Sequence, residues 1–213
     1  MNSGLYIVFI LFSYLLGAVN FAIIFTSLKL NIDIRNLGDH NPGATNVYLN
    51  VDKRLGVLVG ILDGLKGFIP LIFAKKVGAP SAILLVISAA VILGHDYPVF
   101  YHFSGGTGIS TTVGAALFFV PQESLMLLLF VAVIIYSLLF LKNKRGGSFS
   151  PLETGEAIGY ICFLLLILAP NTPNIAKMFY FLAILIVVIR RFDKVKQLFG
   201  RNNIDYNQKQ SIK

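Results

Sequence analysis

The 213-residue sequence has no tryptophan, one cysteine and few charges: Asp, Glu, Lys and Arg together make up 13% of it. A single thiol, Cys162, excludes an internal disulfide and any cysteine-based metal cluster. Its apolar neighbours make it a small packing residue. An ordinary soluble domain carries about 25% charged residues, so a chain this poor in charge cannot cover a water-facing surface. Acidic groups are scarcest, 10 against 18 basic ones, for a formal net charge of +8. The basic residues lie between apolar runs rather than along one face, which points to the loops of a membrane protein and away from nucleic acid. No Walker loop, zinc motif or nucleophile elbow is present.

What is there is apolar. Hydrophobic residues reach 56% and the mean hydropathy is +0.76, enough for an all-α integral membrane protein. A span needs roughly 20 helical residues. Residues 5–28, 55–74, 125–141, 157–169 and 175–189 are clear candidates. The first has no basic residue before it and no small-residue cleavage site, and reads as a permanent span. Residues 79–103 are apolar as far as Leu93, then polar. Residues 109–120 are apolar but short, a length shared by re-entrant helices and true spans. Charge asymmetry favours counting both. With seven spans and the N-terminus outside, Lys29, Arg35, Lys53, Arg54, Lys142, Lys144, Arg145 and the basic C-terminal tail all face the cytoplasm. The reading is one polytopic domain over residues 1–200 and a polar, fraying cytoplasmic tail over 201–213, in the inner membrane.

Gly56, Gly60 and Gly64 recur every four residues and share one helix face, a spacing suited to close helix packing within the bundle. Pro70, Pro80 and Pro121 read as helix-boundary residues. Two ionisable groups stand inside the second span. Asp63 and Lys66, three apart, share a face and can pair, as a structural ion pair or against a substrate. The loop 34–49 is rich in turn formers and compact donors: Gly38, Asn41, Pro42, Gly43, Thr45 and Asn46, with Arg35 offering a fork for phosphate or carboxylate. A second polar cluster holds His95, a candidate general base, and Gly105, Gly106, Thr107 and Gly108 ahead of a short helix whose N-terminus favours an anion.

These segments, in this order, resemble the bacterial acyl-phosphate:glycerol-3-phosphate acyltransferases, the PlsY family. The resemblance rests on Ser13-Tyr14-Leu15-Leu16-Gly17; Asp33-Ile34-Arg35, Gly38 and Asn41-Pro42-Gly43-Ala44-Thr45-Asn46; Leu62-Asp63-Gly64-Leu65-Lys66-Gly67; and Gly94-His95, Tyr97-Pro98-Val99-Phe100, Phe103, Gly105-Gly106 and Gly108. It runs from Ser13 to about Gly114 and, more weakly, over residues 190–200. It implies a seven-helix bundle that moves a fatty acyl group from acyl phosphate to glycerol 3-phosphate, giving lysophosphatidic acid without a metal, cofactor or acyl-enzyme. Arg35, Asn41, Gly43, Thr45 and Asn46 would hold the acceptor phosphate, and Gly105 to Gly108 the donor's head group. His95 or the acceptor's own phosphate would take the hydroxyl proton. Arg190 matches the family's C-terminal arginine.

The chain departs from the family where charge matters. Asp39-His40 stands for Ser-Gly, Ser104 and Thr107 for two lysines, and Arg191 and Lys194 follow Arg190 where the family has His and Asn. Each lost charge-assisted bond weakens dianion binding by about 1–3 kcal/mol. Rival readings are therefore a transferase with another acceptor and a non-catalytic lipid-binding, transport or regulatory membrane protein. The sequence leaves the oligomeric state open.

Overall fold

The computed structural model describes residues 3–145, 158, 161, 165 and 168–210. Among these there is no strand. The helices are α1 (Ser3–Ala18), α2 (Phe21–Leu30), α3 (Ala44–Asn50), α4 (Lys53–Lys76), α5 (Ser81–Asp96), α6 (Ile109–Phe119), α7 (Pro121–Arg145) and α8 (Asn174–Gln210), with 3₁₀ turns at Ile34–Asn36 and Val99–Tyr101. Among the described residues, three stretches are long and apolar enough to cross a membrane: Gly4–Leu30, Lys53–Lys76 and Ser81–Tyr101. The short segment after the glycine cluster is indeed a helix, but its 11 residues reach only about 16 Å, half of a hydrocarbon core of roughly 30 Å. Most of the expected span 157–169, with Cys162, lies outside the described residues.

The first span is not one helix. It breaks at Val19-Asn20, where Asn20 is extended and its side chain accepts from the Ile23 N–H, capping α2. The same side chain donates to the Pro42 carbonyl at 3.1 Å, tying the break to the first polar loop. On the other side of the break, the Lys66 ammonium donates to the carbonyls of Gly17 (3.0 Å) and Val19 (2.8 Å). A cation there satisfies carbonyls left over at the C-terminal end of α1. Broken helices survive in lipid only where the freed backbone groups find such partners.

Small residues set the helix spacing. A side chain at Gly17 would run into Val91 of α5, and one at Gly94 into Tyr14 of α1, so these two helices meet backbone to backbone. Gly67 and Gly114 do the same between α4 and α6: their missing side chains leave room for Thr111 and Gly64. Gly56 lies against Tyr48 of α3 and Gly60 faces Ala44. The four-residue glycine repeat therefore serves packing within the bundle, as its spacing indicates. Pro80 caps α5 and Pro121 opens α7, but Pro70 lies inside α4 rather than at its boundary. The core joins α5, α6 and α8 through Ile87, Val91, Ala115, Phe179 and Ala183, with Phe119 stacked on Phe179 at 4.8 Å. The last helix continues through the polar tail to Gln210, where a frayed segment was expected.

Both polar segments gather at one end of the bundle. The Tyr14 hydroxyl donates to the Tyr97 carbonyl at 2.8 Å, and Arg35 donates to the Tyr101 carbonyl at 3.3 Å. Asp52 caps α4 there and pairs with Lys29 at 2.6 Å. Hydrogen bonding from Lys29, then from the Leu55 amide, holds the Asp52 carboxyl down at about 2.

The close α4–α6 contact gives a direct test. Gly114→Val places branched carbons against the Gly64 backbone and should cost at least about 2 kcal/mol. Gly4→Val, with nothing within 4 Å, should leave thermal unfolding in detergent unchanged. Equal melting temperatures for the two variants would contradict the packing.

Candidate functional site

Where the two polar segments meet, a cavity of ≈ 690 Å³ opens between the loops, α4, α6 and α7. Its polar lining comes from Asn41, Gly43 and Thr45 of the first segment, Asp63 of α4, His95, Thr107, Gly108 and Ser110 of the second, and Ser124 of α7. Its apolar lining comes from Val57, Ile61 and Phe68 of α4, Val113 and Leu117 of α6, and Leu127, Leu128 and Val131 of α7. One chamber thus presents hydrogen-bonding groups of both loops together with a hydrocarbon surface from three helices.

Asn41, Gly43, Thr45, Asp63, His95, Thr107 and Gly108 are therefore brought together, as the sequence suggests. The N-terminus of α6 opens at this cavity, with Gly108 in the left-handed region at φ +65° as its N-cap residue. The backbone N–H groups of a helix's first turn have no partner within the helix, and they attract anions.

Other expected site residues lie outside the cavity wall. Asn46 is 1% exposed. Its amide donates to the carbonyls of Ile34, Leu37 and Asn41 at 2.9–3.3 Å, and its oxygen accepts from Asn50 at 2.7 Å. With both ends engaged, Asn46 ties down the loop that presents Asn41. Arg35 lies against Asp33, bonded through Nε and Nη2 at 2.6–3.1 Å, and against Tyr101. That hydrogen bonding holds the Asp33 carboxyl below its usual range. Arg35 joins the two loops and does not line the cavity.

Gly105 and Gly106 are tied into the protein. Their N–H groups donate to the Asp96 and His95 carbonyls at 3.2 and 3.1 Å. Their own carbonyls accept from Arg190 at 2.6 and 3.0 Å. Arg190 is 2% exposed, with its guanidinium 4.8 Å from the centre of the Tyr97 ring. It clamps the glycine loop onto α8. The glycines are needed for closeness: a side chain on Gly105 would strike the His95 carbonyl and Pro98, and one on Gly106 would strike the imidazole Nε2 of His95.

Lys66 does not line the cavity. Its ammonium donates to the two α1-end carbonyls and forms an ion pair with Asp63 Oδ1 at 2.8 Å. The same Asp63 oxygen stands 3.6 Å from His95 Nδ1, an ion-pair distance rather than a hydrogen bond. Of the two open readings for the Asp63–Lys66 pair, the structural one fits Lys66, while Asp63 borders the cavity.

Sequence reasoning missed Asn20, Ser110 and the α7 wall. Asn20 carried a signal, since an amide flanked by Val19 and Phe21 within an apolar run must be satisfied by backbone. The α7 wall carried none, because its leucines and valines match any lipid-facing helix.

Gly106→Ala tests this geometry. It should displace the His95 ring and lower the melting temperature in detergent by several degrees. Thermal unfolding and the His95 ring ¹⁵N shifts check it; an unchanged melting temperature and unchanged shifts would contradict the packing of residue 106 on His95.

Comparisons with known proteins agree with the architecture. A family model described as glycerol-3-phosphate acyltransferase matches residues 7–201. The glycerol-3-phosphate acyltransferase of Aquifex aeolicus (strain VF5) is 36% identical over 195 residues, covering 91% of this chain and 96% of that protein. The protein of the same description from Methylobacillus flagellatus is 34% identical over 189 residues, 84% and 94% of the two chains. The crystal structure of PlsY (YgiH), an integral membrane glycerol 3-phosphate acyltransferase, superposes in its glycerol 3-phosphate form with a TM-score of 0.70 at 31% identity, covering 92% of this chain and 93% of that one. Its lysophosphatidic acid form gives 0.68 at 29%. A helical bundle with apolar membrane-length segments, matched along nearly its whole length in sequence and shape, places this chain in the glycerol-3-phosphate acyltransferase (PlsY) family of integral membrane proteins.

Proposed function

We propose that the chain transfers a fatty acyl group from acyl phosphate to glycerol 3-phosphate, forming lysophosphatidic acid for phospholipid synthesis. The observation that carries this reading is the lining of the cavity: polar groups of both loops beside apolar side chains of α4, α6 and α7. An acyl phosphate has the same two-part character. Its alkyl chain suits Ile61, Phe68, Leu127 and Val131, and its head group suits the N-terminus of α6 with the Thr107 and Ser110 hydroxyls. Asn41 and Thr45 face the acceptor.

In the reaction, the acceptor hydroxyl oxygen bonds to the acyl carbon and the carbon–oxygen bond to phosphate breaks. Phosphate departs with the electron pair, and the hydroxyl proton passes to His95 Nε2. The mixed anhydride is already activated, so the protein's task is to hold two substrates in line and stabilise developing negative charge. The polar end faces the cytoplasm of an inner membrane, with Lys29, Arg35, Lys53 and Arg54 at that end, in keeping with the positive-inside rule.

None of the described lining residues is Lys or Arg, and Thr107 stands where the family has a lysine. Purified protein supplied with palmitoyl phosphate and glycerol 3-phosphate should form lysophosphatidic acid and release phosphate in equal amounts. Thr107→Lys should lower the KM for acyl phosphate about tenfold, the equivalent of one charge-assisted bond of about 1.4 kcal/mol. Phosphate release without lysophosphatidic acid would point to another acceptor. Silence with every acceptor would favour a lipid-binding role.

A further inference from the structure

We propose that Arg190 is a positioning residue for the acyl-phosphate donor: from α8 it grips the Gly105 and Gly106 carbonyls and so sets the direction of the Thr107 N–H at the cavity. This deepens the acyltransferase reading and rests on it for the identity of the donor.

A guanidinium that is 2% exposed inside a membrane bundle is expensive unless its donors are met. Fastening α8 does not require it. Phe179, Tyr180, Ala183 and Ile186 of that helix already pack into the apolar core with α5 and α6. What Arg190 adds is a double hold on one loop. Nη2 donates to the Gly105 carbonyl at 2.6 Å and Nε to the Gly106 carbonyl at 3.0 Å. Its guanidinium also lies 4.8 Å from the centre of the Tyr97 ring, a cation–π distance that fixes where the fork stands. Tyr97 is in turn tied to α1, since its carbonyl accepts from the Tyr14 hydroxyl at 2.8 Å.

The two gripped carbonyls belong to consecutive peptide units, each planar and trans, so that C=O and N–H point in opposite directions. In the first unit the Gly105 carbonyl meets Arg190, and the Gly106 N–H at the other end donates to the His95 carbonyl at 3.1 Å. That unit is held at both ends, between α8 and α5. In the second unit the Gly106 carbonyl meets Arg190, and the opposite end is the Thr107 N–H, which therefore points away from the guanidinium. Among the described residues this N–H has no hydrogen-bond partner. Thr107 lines the cavity beside Gly108, whereas Arg190 does not. A donor whose direction is fixed in advance needs no reorganisation when negative charge develops on the departing phosphate. Lysine is a poor substitute, because an ammonium lacks the flat fork that reaches two carbonyls at once.

The test uses the full chain in detergent as wild type, Arg190→Met and Arg190→Lys. It reads amide hydrogen exchange at Gly106, affinity for a non-hydrolysable palmitoyl phosphonate, and the KM of each substrate. Arg190→Met keeps the length of the side chain and loses its donors. It should speed exchange at Gly106 at least about tenfold. Phosphonate affinity should fall and the acyl phosphate KM rise by about tenfold each, with the glycerol 3-phosphate KM within about twofold. Arg190→Lys should fold and still lose about threefold or more in phosphonate affinity. An arginine that only supported the fold would lower kcat and the melting temperature while phosphonate affinity and both KM values stayed at wild-type levels; that result overturns the proposal. Unchanged exchange at Gly106 in a folded Arg190→Met protein overturns it too. If Arg190→Met does not fold, Arg190→Lys decides, and wild-type phosphonate affinity in that variant counts against the clamp. A wild type that binds the phosphonate yet makes no lysophosphatidic acid sinks the assigned reaction, while the variants' phosphonate affinities still decide the role of Arg190.

Discussion

One buried ammonium organises the polar end of this bundle. Lys66 closes the broken end of α1, pairs with Asp63 and, through it, faces His95. Placing a charge in lipid is costly unless every polar group around it is satisfied. Here the satisfaction is mutual, since the freed carbonyls of a broken helix need a donor and the lysine needs acceptors. The break in turn lets Asn20 cap α2 and hold Pro42, one residue from cavity-lining Asn41 and Gly43. A continuous first helix would provide none of these contacts.

The glycines follow the same logic of closeness. In the helices they let α1 approach α5 and α4 approach α6. In the loop after Ser104 they let the chain fold onto His95 and Asp96, and Arg190 locks it there. A glycine-rich loop before a helix suggests a cradle of free N–H groups, yet at Gly105 and Gly106 the N–H groups are already occupied. The N-terminus of α6, by contrast, opens at the cavity.

Much of the fold was legible because hydrophobic length and charge placement are local properties. The apolar runs, the glycine face of α4, the helix starts at Pro80 and Pro121 and the meeting of the two polar segments all follow from sequence. Asn41, Gly43, Thr45, His95, Thr107 and Gly108 reach the cavity as their motifs indicate. Asn46, Arg35 and Arg190 do not, and the cause is shared. Each carries several donors, and a sequence cannot say whether those donors meet a ligand or the protein's own carbonyls and carboxylates. Asp33, two residues from Arg35, was the available warning. The break at Asn20 and the interior Pro70 show the converse: a helix can stop inside an apolar run and continue through a proline.

On the proposed reaction, one chamber holds both the acyl chain and the reacting head group. A structure of the chain bound to a non-hydrolysable acyl phosphonate tests it most directly. The alkyl chain should lie between α4 and α7 along Ile61, Phe68, Leu127 and Val131, with the phosphonate at the N-terminus of α6 beside Thr107. A phosphonate seated on Arg35 with its chain outside that slot would contradict it.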